Sequence, residues 1–135
     1  MRLRNIYVAK YTRMYVPVAF PRLRSPMEWA EAKTGLKTLL KGRSAVESLA
    51  AAMMEHSVKP IHISLTDVES VELLKESLVM FKSMLAWAGE RPDPAPAAQA
   101  CYVLQVAKDT VELRAELYLQ LMKQLTLNSK PSITK

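Results

Sequence analysis

Leu113-Arg114-Ala115-Glu116-Leu117-Tyr118-Leu119-Gln120-Leu121-Met122-Lys123-Gln124-Leu125-Thr126 is the stretch that decides the fold class. Leu113, Leu117, Leu121 and Leu125 recur at steps of four, a helical period. Asp109 with Glu112 is expected to cap a helix from Thr110 to about Leu127. Asn128 and Pro131 are suited to end it. Arg114, Glu116, Gln120, Lys123 and Gln124 flank the leucine stripe. Arg114/Tyr118 and Glu116/Gln120 are i, i+4 neighbours, able to hydrogen-bond other helices. The same cations could be displayed to a partner, and the spacing leaves both readings open.

Upstream, the helical punctuation repeats. Thr66-Asp67-Val68-Glu69 has the form of a capping box. The helix it announces carries Val68, Val71, Leu74, Leu78, Phe81 and Leu85 on one face and meets Gly89, a natural C′ residue. Glu90 to Pro96 is proline-rich and extended, and a further helix is expected over 97–107. Ser25-Pro26-Met27-Glu28 is another capping box, with proline at the first helical position and a helix to about Lys41. Ser44-Ala45-Val46-Glu47 opens one more, to about His56 before Pro60. No strand alternation, internal repeat or low-complexity tract occurs. The expected fold is all-α, a helical bundle of about five helices.

The chain has 135 residues, enough for one domain with a real core. Half are hydrophobic and about a quarter charged, which excludes a wholly disordered chain. The single cysteine, Cys101, excludes an internal disulfide and is expected as a packed thiol. No apolar run approaches the ~20 residues of a membrane span. Lys10 and Arg13 interrupt the run behind the basic start, which makes a poor secretory signal. A soluble cytoplasmic protein is the expectation.

The net charge of +6 is unevenly placed. Residues 1–43 hold ten basic residues and two acids, whereas the remainder holds nine and eleven. Such a basic third suits an anionic partner: nucleic acid, an acidic membrane face or an acidic filament. Tyr7, Tyr11 and Tyr15 lie at helical spacing among these cations. They are packing groups or, on the alternative reading of a nucleic-acid-binding helical domain, stacking groups.

Signals of chemistry are sparse. The three glycines are scattered, so no phosphate loop forms. His56 and His62 straddle Pro60 without a metal-ligand pattern, and solvated loop histidines are expected. The eight methionines suit core filling. No catalytic, cofactor or metal residues are assigned, and no small-molecule substrate is expected.

The quoted stretch resembles the hallmark of the MyTH4 (myosin tail homology 4) domain, Leu-Arg-Asp-Glu-(Ile/Leu)-Tyr-x-Gln-(Ile/Leu)-x-Lys-Gln-Leu-Thr-x-Asn. Leu113, Arg114, Glu116, Leu117, Tyr118, Gln120, Leu121, Lys123, Gln124, Leu125, Thr126 and Asn128 match, and Ala115 replaces the usual acid. Lys59-Pro60-Ile61 with Ser64-Leu65, and the run from Phe81-Lys82 to Gly89-Glu90-Arg91-Pro92, resemble two further segments in order. The likeness covers about residues 59–131. It implies a division into a basic aromatic segment (1–26), a helical extension (27–58) and the N-terminal part of a MyTH4-like domain (59–135). The family's later helices do not follow the hallmark here, so residues 27–56 are expected to help cover the leucine face.

The resemblance further implies a non-catalytic, cytoskeleton-associated module of a motor tail or adaptor. Its expected partners are microtubules or cargo and adaptor proteins. Arg114, Lys123, Lys59 and Lys82 are the candidate partner-binding residues.

Overall fold

A computed structural model describes residue 20, residues 22–34 and residues 42–128 of the chain. Tyr7, Tyr11 and Tyr15 lie outside the described residues, as do 35–41, over which the first helix was expected to continue.

The Ser25 capping box forms as read. Ser25 Oγ accepts from the Glu28 amide at 3.2 Å, and Glu28 Oε2 accepts from the Ser25 amide at 3.1 Å. Helix α1, Pro26–Thr34, follows with proline in its first turn. Helix α2, Arg43–Ala51, starts two residues before the start that a Ser44 cap implies. Gly42, at φ 84°, is its N-cap, and Ser44 makes no cap bond. It also ends at Ala51, well short of His56, in a run of turns. These two helices pack on each other around Ala30, Val46 and Ala50.

Helix α3, Val71–Trp87, begins later than the Thr66 pattern predicted. Its cap is Ser70, whose hydroxyl accepts from the Leu73 amide at 3.1 Å. Val68 falls before the helix and Val71 is exposed, so the inner face shifts to Ser77, Met80, Phe81, Met84 and Leu85. Ser70→Ala should cost about 1 kcal/mol through loss of that cap. A thermal melt lowered by a few degrees checks it. At the other end Gly89, at φ 78°, turns the chain, and the Glu90 amide reaches back to Leu85 O at 2.9 Å.

Helix α4, Pro96–Asp109, lies along α3. Tyr102 of α4 donates to Glu76 of α3; burial, then that bond and its charge, push the phenol up to about 12. A 3-10 turn, Val111–Leu113, leads into α5, Arg114–Leu125. No side chain caps this start, so the expected Asp109 cap is absent. The positive φ of its exit falls on Leu127, at 58°, rather than on Asn128.

The fold among the described residues is all-α, with one isolated antiparallel bridge between Leu23 and Thr66. The main core joins Trp29 and Met53 to Leu65, Met80, Phe81, Leu85, Val103, Val106, Leu113, Leu117 and Leu119. Elements on both sides of residue 58 thus share one core. The methionines at 53, 80 and 84 fill it as expected. Cys101 does not join it: the thiol is exposed on the outer face of α4. No helix of the described residues is long and apolar enough to cross a membrane.

Candidate functional site: the polar face of the last helix

The stretch between α2 and α3, residues 52–70, has no regular secondary structure, yet Met53, Ile61, Ser64, Leu65 and Thr66 are buried in it. A buried irregular loop must find partners for its backbone N–H and C=O groups. Helix α5 supplies many of them, and it does so with side chains.

The inner face of α5 carries three polar side chains beside the buried Leu117 and Leu119. Glu116 and Gln120 are wholly buried, and Lys123 is only 2% exposed. Glu116 accepts from the Leu65 amide at 2.9 Å, the Thr66 amide at 2.7 Å and the Thr66 hydroxyl at 2.7 Å. Gln120 Nε2 donates to Glu116 at 2.8 Å and to Ser77 O at 3.0 Å. Lys123 Nζ donates to Met53 O at 2.9 Å, Glu55 O at 2.8 Å and, more weakly, Ala52 O at 3.3 Å. Its ammonium also lies 5.5 Å from the centre of the Trp29 ring. Burial pushes Lys123 down to about 8, with the charge of Glu55 opposing.

Gln124 reads both backbone groups of Ser57, accepting from its N–H at 3.1 Å and donating to its C=O at 2.8 Å. The His56 amide reaches Thr126 O at 2.9 Å. Arg114 faces the other way. Its guanidinium donates to Ala107 O at 2.7 Å and Lys108 O at 2.9 Å, closing the carbonyl end of α4.

The leucine stripe therefore is not the inner face throughout. Leu113 and Leu117 are buried, but Leu121 is 40% and Leu125 67% exposed. Geometry explains it: at about 100° per residue, each step of four drifts about 40° around the helix. Four leucines so spaced spiral outwards. The inner line runs through 113, 116, 117, 120 and 123 in steps nearer the true period. The cover expected from residues 27–56 is met only in part: Trp29 and Met53 share the core with Leu113 and Leu117, residues 52–56 dock on Lys123 and Thr126, and Leu121 and Leu125 stay exposed.

Of the four candidate partner-binding residues, Lys123 is spent inside the protein and is not available to a partner. Three backbone carbonyls offset part of the cost of desolvating it. Arg114 is exposed but engaged with α4. Lys59 and Lys82 are exposed, on the loop and on α3.

Neither histidine is a solvated loop residue. His56 Nε2 meets Glu90 Oε1 at 2.6 Å, with both side chains largely buried. His62 donates through Nε2 to Trp29 O at 2.7 Å and packs its ring 4.4 Å from the indole. No local sequence signal marks either pairing, because the partners lie more than thirty residues apart. No group of three or more His, Cys, Asp or Glu side chains that could hold a metal ion forms among the described residues.

No family model matches the chain, and no solved structure does. It is, however, 36% identical over 136 residues to a segment of the high molecular weight form of myosin-1 of Acanthamoeba castellanii. The likeness takes in the whole of this chain, including residues 1–58, and 8% of that relative.

Proposed function

We propose that this chain is a non-catalytic interaction module of a myosin tail, of MyTH4 type, that joins a motor to cytoskeletal or cargo proteins in the cytoplasm. The observation that carries the reading is the likeness to a myosin segment, 36% identical, over the whole length of the chain. The use of the hallmark residues supports it. Arg114, Glu116, Gln120, Lys123, Gln124 and Thr126 are committed to backbone groups of the chain itself, which suits a rigid scaffold.

Within this reading the partner-binding cations are the exposed ones, Lys59 and Lys82. Acidic filaments are the partner that suits them and the basic residues of 1–43. Co-pelleting of the purified chain with taxol-stabilised microtubules at near-physiological salt is the test. Saturable pelleting that weakens as salt rises is expected. Lys59→Glu with Lys82→Glu should weaken it about tenfold, since each exposed charge contributes under about 1 kcal/mol and reversal doubles the effect. A folded chain that stays in the supernatant removes microtubules and leaves cargo proteins as the partners.

A further inference from the structure

A cavity of about 260 Å³ opens between the segment entering α1, the start of α3 and the first turn of α5. Phe20, Val68, Leu73 and Ala115 supply its apolar wall. Asp67, Glu69 and Glu112 stand at its edge, with Arg22 paired to Glu69 at 2.9 Å. The carboxylates face water: the side chains of Asp67 and Glu69 are 70% and 76% exposed, and Glu112 is exposed and pairs with no cation among the described residues. Arg24 lies 3.9 Å from Asp67 but gives its stronger bond, 3.0 Å, to Ser64 O.

The volume falls below the ~300–1,000 Å³ of pockets that enclose drug-sized ligands. It suits one large side chain. An apolar socket ringed by a surplus of carboxylates matches an apolar anchor flanked by cations. We propose that this cavity is a docking site for a basic linear peptide of a partner protein, which inserts one aromatic or leucine-like side chain between Phe20, Val68, Leu73 and Ala115. The site has the opposite electrostatic preference from a face that binds an acidic filament. It does not rest on the filament reading, and microtubule pelleting leaves it unaffected.

The test is a titration of the isotope-labelled full chain followed by amide NMR. The probes are the synthetic heptapeptide KRGWGRK, its serine counterpart KRGSGRK and the acidic DEGWGED. Saturable shifts of the Val68, Leu73 and Ala115 amides are expected with KRGWGRK alone. Ala115→Leu, which fills the socket, and Glu112→Lys, which reverses one rim charge, should each weaken binding about tenfold or more. The dispersion of signals away from the cavity reports that a variant is folded; Glu112→Lys, at an exposed position, decides the matter if Ala115→Leu unfolds. The proposal is overturned if those amides stay still, if all three peptides move them equally, or if both folded variants bind as the parent does.

Discussion

Glu116→Ala is expected to destabilise the protein by about 4 kcal/mol, the largest effect of any single side chain on α5. The carboxylate takes four donors: the amides of Leu65 and Thr66, the Thr66 hydroxyl and Gln120 Nε2. The hydroxyl can turn elsewhere, and Gln120 keeps Ser77 O. The two buried amides cannot, because Leu65 and Thr66 are buried and the bridge to Leu23 uses Leu65 O and the Asp67 amide, not these two donors. Each orphaned buried donor costs about 1–3 kcal/mol, and bonds to a charged acceptor stand at the upper end. A loss of about 4 kcal/mol is a large share of the 5–15 kcal/mol typical of a domain. It should lower the melting temperature by about 15 °C.

Glu116→Gln separates charge from shape. Its carbonyl oxygen can serve one amide, while its NH2 group confronts the other donor, so about half the loss should remain. Urea titrations of parent and both variants measure this. If Glu116→Ala lies within about 1 kcal/mol of the parent, α5 does not hold the 52–70 loop in solution.

The same residues show what was legible in the sequence. The helices were, because each is announced locally: the Ser25–Glu28 box forms bond for bond, and Gly89 turns the chain after α3. The identical pattern at Thr66–Glu69 misleads, since a capping box needs its side chains free. Glu69 is bound to Arg22, and the Thr66 hydroxyl and amide are both given to Glu116, fifty residues away. Helix formation passes to Ser70.

The candidate site was legible as a string of residues but not as a geometry. Charged side chains are almost never fully buried unless paired, and helical spacing alone leaves Glu116 and Lys123 free to lock onto other parts of the chain or to face a partner. What buries them is a loop with unsatisfied backbone groups, and a loop's unmet needs leave no mark in its own sequence. The resemblance named the residues that matter, including Lys123, without saying that Lys123 points inwards. His56 and Glu90 failed to register for the same reason: their pairing exists only once the loop and the α3 turn meet.

Lys123→Met, which keeps the chain length of the stem and removes the ammonium, should cost about 2 kcal/mol at pH 7. It strips the donor from Met53, Glu55 and Ala52 carbonyls. The loss is moderated because the buried ammonium already carries a desolvation cost, visible in its fall to about 8. That fall has a consequence of definite sign. Between about pH 8 and the ordinary lysine value near 10.4, the unfolded chain holds a proton at Lys123 that the folded chain has released. Stability therefore rises with pH across this window, by at most about 1.4 kcal/mol per unit, and the gain is lost again as pH falls through 8. The stability difference between parent and Lys123→Met should widen by about 2 kcal/mol from pH 8 to pH 10. Subtracting the variant cancels the other titrations, including that of Tyr102, whose folded phenol is pushed up to about 12. A lysine displayed to solvent or to a filament would leave the difference flat. The slope thus distinguishes an interior clamp from a surface cation with no partner in the tube.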